Sequence, residues 1–325
     1  MSPVLGPPVA GERAHSSTHH GITIEDPWHW LRDPGYPDVE DPDVLAYLNA
    51  ENAFFETSMA PQQELIDAIF EEIKGRQQPD LSSVPWRRGN CNYGSLLAYG
   101  TDTDGSERFR MVVRDLGSGE MLDDEIAGTM GSAVWAADDG SFFYTLVDEN
   151  WRPWQVRRHV MGQPVTQDAV VYEETDPGFF VGLSNTTSRE FILIGSGDHV
   201  TSEVWLIPAT APESAPLVVS PRRTGHEYSV DHQGDRFVIR TNDTHKNSRL
   251  ATAQQDDPSE RTWTPLVDAS DEHYTRAFKT FRDFIAVEER ISGLDHIRLV
   301  NNAGETTYVQ FPESAYRSSG HQPGI

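Results

Sequence analysis

Serines flanked by glycine are the first candidates for chemistry, because the nucleophile of an α/β-hydrolase lies in a Gly-x-Ser-x-Gly turn between a strand and a helix. The 325-residue sequence contains no such motif. Its two Gly-Ser-Gly patterns, at residues 117–119 and 195–197, lie among β-type sequence, and we interpret both as turns between strands. The sequence therefore offers no recognisable serine nucleophile.

Histidines close to carboxylates are the next candidates. His226-Glu227 begins like the zinc motif His-Glu-x-x-His, but the next histidine is His232, which is too far along the chain. Asp231 precedes His232, and alternation along a strand directs such neighbours to opposite faces, so we expect these residues to support turns or a sheet surface. We assign the three histidines within residues 15–20 to a mobile terminus. We predict no catalytic, metal-binding or cofactor-binding residue, and no cofactor.

The charge of the chain limits its partners. With 51 acidic and 26 basic residues the net charge is −25, which would repel nucleic acid. An acidic surface could attract cationic peptides, although it also serves solubility. Four cations, Arg222, Arg223, Arg240 and Lys246, could meet acidic groups on a partner domain or belong to solvated loops.

The cellular setting is predicted from what the sequence contains. No run approaches the roughly 18 apolar residues that a membrane span needs, and the N-terminus lacks the pattern of a secretory signal. The single cysteine, Cys91, fits a reducing compartment. We expect a cytoplasmic protein with no membrane partner.

Two amphipathic helices are predicted before residue 80, after extended segments at residues 1–20 and 25–34. The first opens at Asp41-Pro42, a capping residue before a proline. The second starts at Pro61 and stops near Gly75. The apolar stripes of the two helices comprise Val44, Leu45, Leu48, Ala53 and Phe55, and then Leu65, Ile66, Ile69, Phe70 and Ile73. Two helices cannot bury both stripes alone, so we expect them to dock on another surface.

From residue 85 onward, short β-branched and aromatic runs alternate with Gly, Asp, Asn and Pro turns. The runs form groups at residues 96–115, 132–159, 179–208, 227–267 and 276–311. Equivalent strands return about every 45 to 50 residues, as in the blades of a β-propeller. The inner-strand positions would be Val134, Val181, Val230 and Phe278. A sandwich of unrelated hairpins is the alternative.

Tryptophans and turn carboxylates could also support carbohydrate chemistry. The eight tryptophans are spread over the whole chain, and we interpret them as core residues. Four aspartates, Asp138, Asp139, Asp231 and Asp235, lie at predicted turns or strand ends. A propeller-type glycosidase or lectin would need paired carboxylates at the central channel, so this remains a third hypothesis.

Several segments resemble the N-terminal half of oligopeptidase B, in the prolyl oligopeptidase group of serine peptidases. The similar segments, in consistent order, are IEDPWHWLRD (24–33), VLAYLNAEN (44–52), SSVP (82–85), WAAD (135–138), TSEV (201–204) and GHEYSVDH (225–232). The resemblance runs from about residue 19 to about residue 316. It implies a seven-bladed propeller that caps an α/β-hydrolase domain, with an N-terminal helical extension packed on the hydrolase. It also implies a Ser-Asp-His triad that cleaves short peptides after Arg or Lys.

The sequence departs from that family pattern twice. Between residues 93 and 96 most of one blade, roughly 50 residues, would be missing, and beyond residue 316 a last blade and the catalytic domain would follow. We therefore predict an all-β fold, a β-propeller of about five recognisable four-stranded blades of the family's seven, preceded by an α-helical extension. The predicted parts are residues 1–80 (extension), 81–316 (incomplete propeller) and 317–325 (tail).

Two main hypotheses for function follow. The chain is either the gating propeller of a truncated peptidase, inactive alone and completed by a hydrolase domain that is missing or on a separate chain, or a non-enzymatic module that binds a peptide or protein. Short basic peptides are the expected substrates of the full-length family. A neighbouring coding sequence with Gly-x-Ser-x-Gly would favour the first hypothesis.

Overall fold

The computed structural model describes residues 6–36, 38–76 and 96–312. The chain divides into two compact units, Met1–Pro85 and Trp86–Ile325. The first unit opens with an antiparallel hairpin of β1 (Ser16–His19) and β2 (Ile22–Glu25). The extended segment predicted for residues 25–34 is wrong in part, because a 3₁₀ turn at His29–Leu31 interrupts it. Asp26 stabilises this turn, because its side chain accepts the N–H of Trp28 and its carbonyl accepts the N–H of His29.

Both predicted helices are present in the first unit. Helix α1 (Pro42–Met59) begins after Asp41, whose carboxylate accepts the N–H groups of Asp43 and Val44. A 3₁₀ turn, Ala60–Gln62, leads into α2 (Gln63–Arg76). Gly75 and Arg76 are both helical, so the stop predicted at Gly75 is wrong, and residue 77 lies outside the described residues.

The strands of the second unit form antiparallel sheets in chain order. The first sheet contains β3 (Leu96–Thr101), β4 (Phe109–Asp115), β5 (Met121–Trp135), β6 (Ser141–Val147), β7 (Pro153–Val160) and β8 (Ala169–Glu173). The second contains β9 (Phe180–Asn185), β10 (Phe191–Gly197), β11 (Ser202–Pro208) and β12 (Leu217–Val218). The third contains β13 (Tyr228–Gln233), β14 (Arg236–Thr241), β15 (Arg249–Gln254) and β16 (Thr264–Val267). The fourth contains β17 (His273–Thr280), β18 (Phe284–Ile291), β19 (Leu294–Asn301) and β20 (Thr306–Tyr308).

The six-stranded first sheet corrects the prediction of separate first and second groups. Strand β5 pairs with β4 along its first half and with β6 along its second, so it belongs to both groups. The β5–β6 register shifts between residues 129 and 133, where Gly131 has a φ of +77°. A Cβ at Gly100 would lie 2.4 Å from the Cα of Gly131, so the chain bends there through a close backbone approach. The position between residues 93 and 96, where most of one family blade is predicted to be missing from the sequence, lies at the edge of the described residues, and that prediction stays a prediction.

An apolar core lies between each pair of consecutive strand groups in the described part of the second unit. On β6, Phe142 faces the core shared with β4, and its neighbour Phe143 faces the core shared with β10. The neighbours Phe191 and Ile192 on β10 divide between two cores in the same way. Successive residues of a strand point to opposite faces, so each middle strand contributes to the cores on both of its sides. This stacking is consistent with propeller blades.

Asp231 joins three consecutive sheets. It lies on β13 and accepts the N–H and the hydroxyl of Thr187, both at 2.7 Å, from the turn between β9 and β10. It also accepts the hydroxyl of Thr280 at the end of β17. One carboxylate therefore connects the second, third and fourth sheets.

Arg222 joins the first sheet to the second. Its guanidinium pairs with Glu174, which follows β8, and lies 3.0 Å from Glu203 on β11. Burial opposes the ionised form of Glu174, but hydrogen bonds from Arg222 and Ser196 outweigh it and lower the pKa of that carboxyl to about 2. The guanidinium also lies 4.2 Å from the ring centre of Phe179. Arg222 was predicted either to contact a partner domain or to lie in a solvated loop. Both predictions are wrong, because its guanidinium is paired within the chain.

Two of the other singled-out cations are also engaged within the chain. Arg223 pairs with Glu260 at 2.6 Å, and Arg240 donates to the carbonyl of Thr275 at 2.8 Å. Lys246 is exposed in the β14–β15 loop, as the solvated-loop interpretation expects. The arginines thus connect neighbouring strand groups.

Replacing Asp231 with alanine tests the connection between three sheets. We expect the free energy of unfolding to fall by about 3 kcal/mol, because hydrogen bonds to a carboxylate are lost and the N–H of Thr187 loses its acceptor. Urea unfolding of Asp231→Ala measures this. Asp235→Ala, in the exposed β13–β14 turn, is the matched control and should change the value by no more than about 0.5 kcal/mol. Equal losses in both variants would contradict the assignment.

The lowered pKa of Glu174 predicts a specific acid sensitivity. Its ordinary value is 4.5 and its folded value is about 2, so its contribution to stability is complete above pH 4.5 and is lost as the pH falls toward 2. The urea midpoint should therefore decrease from pH 5 to pH 3, and this decrease should be larger in the wild type than in Arg222→Met.

The control for that comparison is Arg282→Met, at an exposed turn position. This variant should retain the acid-induced decrease of the wild type. If Arg222→Met also retains it in full, Arg222 does not set the pKa of Glu174.

Candidate functional site

The two Gly-Ser-Gly patterns differ in structure. Residues 117–119 form the predicted turn, in which Asp115 accepts the N–H groups of Gly117 and Ser118. The turn predicted at 195–197 is wrong, because these residues end strand β10. Ser196 is buried and donates its hydroxyl to Glu174, so its hydroxyl has a structural partner. Neither serine hydroxyl is hydrogen bonded to a histidine in the described chain.

His226, Asp231 and His232 support the sheets, as predicted. Nε2 of His226 lies 3.0 Å from the hydroxyl of Thr241, and burial lowers the pKa of this histidine. Nδ1 of His232 lies 2.9 Å from the hydroxyl of Ser188. Both rings are buried, so they are not arranged as an accessible acid and base.

A buried histidine between two carboxylates was missed by the sequence reasoning. His159 on β7 has Nδ1 2.8 Å from Asp168 and Nε2 2.8 Å from Asp124 on β5. Tyr144 donates its hydroxyl to Asp168. The imidazole is fully buried, so this network holds the first sheet together and is closed to solvent. No sequence motif indicates it, because His159 and Asp124 lie 35 positions apart.

The contacts of the possible metal ligands and of the turn aspartates do not support a metal site or a carbohydrate site. Among residues 6–36, 38–76 and 96–312, no group of three or more His, Cys, Asp or Glu side chains could hold a metal ion. Asp138 accepts the N–H groups of Gly140 and Ser141, which stabilises the β5–β6 turn. Asp231 is occupied between sheets, so these two carboxylates have structural partners.

The tryptophans divide into core and surface positions. Three lie in apolar contacts as predicted: Trp135, Trp205 and Trp263. The core interpretation is wrong for Trp28 and Trp151, which are 49% and 53% exposed. Trp151 donates its indole N–H to the carbonyl of Ser106. Trp86 lies outside the described residues.

A cavity of about 500 Å³, open to solvent, lies between the second and third sheets. Its apolar wall includes Leu193, Val204 and Val230. Gly182 on β9 and Gly195 on β10 are direct cross-strand partners that also line it. A Cβ at either glycine would meet no atom within 4 Å, so their missing side chains enlarge the cavity.

The polar groups in the cavity wall are fixed by the protein itself. The hydroxyl of Tyr228 donates to the carbonyl of Ser220 at 2.6 Å and accepts the N–H of Val204 at 2.7 Å. Burial raises the pKa of Tyr228, so its hydroxyl is neutral at ordinary pH. Ser202 bonds through its hydroxyl to the N–H and carbonyl of Tyr228. The wall is therefore rigid and uncharged at these positions.

The helices of the first unit present a second candidate surface. Apolar side chains along α2 are exposed: Leu65 by 58%, Ile66 by 37%, Ile69 by 47%, Phe70 by 60% and Ile73 by 57%. On α1, Phe55 is 62% exposed and only Val44 is buried. An exposed apolar stripe of this kind is a candidate site of association. None of the described helices is long and apolar enough to cross a membrane.

Comparisons with known proteins were consistent with one another. The model of the family described as prolyl oligopeptidase, N-terminal beta-propeller domain, matches residues 7–95 and 91–323. Dipeptidyl aminopeptidase BI of Pseudoxanthomonas mexicana is 31% identical, over 95% of this chain and 52% of that relative. Protease 2 of Moraxella lacunata is 28% identical with the same coverage. The chain spans about half the length of the curated relatives it matches.

The fold comparison agrees. Oligopeptidase B from Leishmania major superposes with a TM-score of 0.82 at 24% identity, over 95% of this chain and 54% of that one. That likeness supports the stacked sheets as a propeller. With the family model matching most of the sequence, this chain belongs to the prolyl oligopeptidase family and carries its N-terminal β-propeller domain.

Proposed function

We propose that this chain is the gating propeller of a serine-type oligopeptidase that cleaves short peptides after Arg or Lys. An α/β-hydrolase domain, further along the polypeptide or on a separate chain, would supply the nucleophile, base and oxyanion hole. The observation that carries the proposal is the family match across nearly the whole chain, together with its span of about half of each relative. Cys91 as the single cysteine supports a cytoplasmic setting.

The exposed α2 stripe supports a docking role for the first unit. A stripe from Leu65 to Ile73 would cost free energy in water, and burial against a second apolar surface would recover about 25 cal/mol per Å². A hydrolase domain is the occupant we propose, because the match covers only 52% of each of these relatives and leaves room for a second domain.

Electrostatics support basic substrates. With 51 acidic and 26 basic residues, and three of the singled-out arginines already bonded within the chain, the surface potential is negative and raises the local concentration of cationic peptides. The relatives are named as a dipeptidyl aminopeptidase and a protease, so substrate panels should include a dipeptidyl reporter beside an Arg-Arg reporter.

A non-enzymatic binding module is the second candidate function. The observation that favours it is the cavity between the second and third sheets, which requires no hydrolase domain. A downstream coding frame with Gly-x-Ser-x-Gly would favour the peptidase, and its absence would favour the binding module.

Purified residues 1–325 should not hydrolyse a fluorogenic Arg-Arg peptide, because the sequence contains no Gly-x-Ser-x-Gly nucleophile motif. The His232 ring that contacts the hydroxyl of Ser188 is buried in the sheets. A fluorophosphonate probe should leave the chain unlabelled. Inhibitor-sensitive turnover that follows the chain through purification would contradict the assignment of an inactive propeller.

Association with a hydrolase half should depend on α2. Phe70→Asp should weaken binding to the C-terminal half of the Pseudoxanthomonas mexicana relative by at least about tenfold, because a charge replaces an aromatic anchor. Titration calorimetry measures the affinity, and a melting curve verifies the fold.

The matched control is Ala68→Asp, which adds the same charge on the opposite side of the same helix. It should bind like the wild type. Equal weakening by both variants would indicate a general charge effect and would remove the stripe from the interface.

A further inference from the structure

Two glycines in the cavity wall have no conformational reason to be glycine. Gly182 and Gly195 are absent from the positive-φ positions of the described chain, and each has open space where a Cβ would lie. Gly197 differs, because a Cβ there would lie 2.9 Å from the carbonyl oxygen of Thr201. A glycine inside a strand weakens it and often marks a close approach by another group. At Gly182 and Gly195 the effect is to keep the cavity open.

The size and lining of the cavity indicate the class of group that fits. Ligand sites are mostly apolar clefts of about 300–1,000 Å³, and this one measures about 500 Å³. Leu193, Val204 and Val230 supply apolar surface. The hydroxyls of Ser202 and Tyr228 are engaged with the protein. Glu203 also lines the cavity, but its carboxylate is paired with Arg222 at 3.0 Å, so an uncharged apolar group is favoured over an ion.

The backbone N–H and carbonyl of Val230, a residue that lines the cavity and is 7% exposed, have no hydrogen-bond partner among the described residues. In the described part of the chain, β9 pairs only with β10, and β13 pairs only with β14, so both are edge strands. The N–H and carbonyl of Tyr228 point away from β14, toward Ser202. Along an antiparallel strand, every second residue directs its backbone groups away from the partner strand. The N–H and carbonyl of Val230, two residues after Tyr228, therefore also point away from β14, and no described residue bonds to them. An extended peptide can pair with such an edge while an alternate side chain enters a pocket.

We propose that this cavity binds an apolar side chain of an extended peptide, whose backbone pairs with the free edge at Val230. This proposal depends on the proposed function in one respect, which is that peptides are the ligands of the propeller. Gly182 and Gly195 are the residues that determine which side chains fit. The pocket would hold a peptide against the second and third sheets.

The test uses the full chain with labelled Leu and Val methyl groups. It is titrated with acetyl-Gly-Phe-Gly-amide and with acetyl-Gly-Gly-Gly-amide. The phenylalanine peptide should shift the methyl signals of Leu193, Val204 and Val230 and bind at least about tenfold tighter, because full burial of such a side chain contributes more than one factor of ten. Equal affinities, or no binding of either peptide, would overturn the proposal.

Gly195→Leu fills the cavity and should weaken binding of the phenylalanine peptide by at least about tenfold. Because open space receives the new side chain, the melting temperature should be unchanged or higher, which verifies the fold. Thr264→Leu, at an exposed position on the outermost strand of the third sheet, is the control and should bind like the wild type.

Binding by Gly195→Leu at wild-type affinity would also overturn the proposal. This result would leave the gating role unaffected, because that role is measured by hydrolysis and by association with a hydrolase half, and neither readout needs the cavity.

Discussion

The second unit depends on the burial of sheet faces against the next sheet in the chain. Each middle strand carries apolar residues on both faces, as Phe142 and Phe143 do on β6. A four-stranded sheet with two apolar faces cannot stand alone in water, because fully burying each such side chain contributes about 1.5–3 kcal/mol. The stack of sheets is therefore the unit of stability, and the order of the blades follows the order of the chain.

Polar contacts determine how the stacked sheets are aligned. Asp231 bonds to threonines from the sheets on either side, and Arg222 connects Glu174 to Glu203. A strongly acidic chain has few cations, and several are engaged in such connections. The remaining carboxylates give the surface its negative potential, so the same charge imbalance shapes both the structure and the proposed preference for basic peptides.

Local sequence was sufficient to predict the third and fourth sheets. Their strands agree with the predicted groups to within a few residues, because short alternating runs end at clear turns such as Gln233–Asp235. The long strand β5 was missed in part, since its acidic and glycine residues resemble a loop, and only pairing with β4 and β6 shows that it is extended. Gly195–Gly197 was misread for the same reason: glycine usually marks turns, while here it lines a cavity.

Long-range contacts were beyond sequence reasoning. His159 and Asp124 come from different strands of one sheet, their partner Asp168 lies just before a third strand, and Arg222 meets a glutamate 48 positions away. Spacing along the chain carries no signal for such contacts, because the fold alone determines which residues meet. The exposed stripe of α2 was predictable, since periodicity alone places Leu65, Ile69 and Ile73 on one face.

The most direct test of the account measures substrate size selection. The chain is fused to the C-terminal half of the Pseudoxanthomonas mexicana relative, and kcat/KM is measured for a short fluorogenic peptide and for an unfolded protein, beside the same C-terminal half alone. The account predicts that the fusion cleaves the short peptide and discriminates against the protein, while the half alone discriminates less. Equal discrimination with and without this chain would contradict a gating propeller.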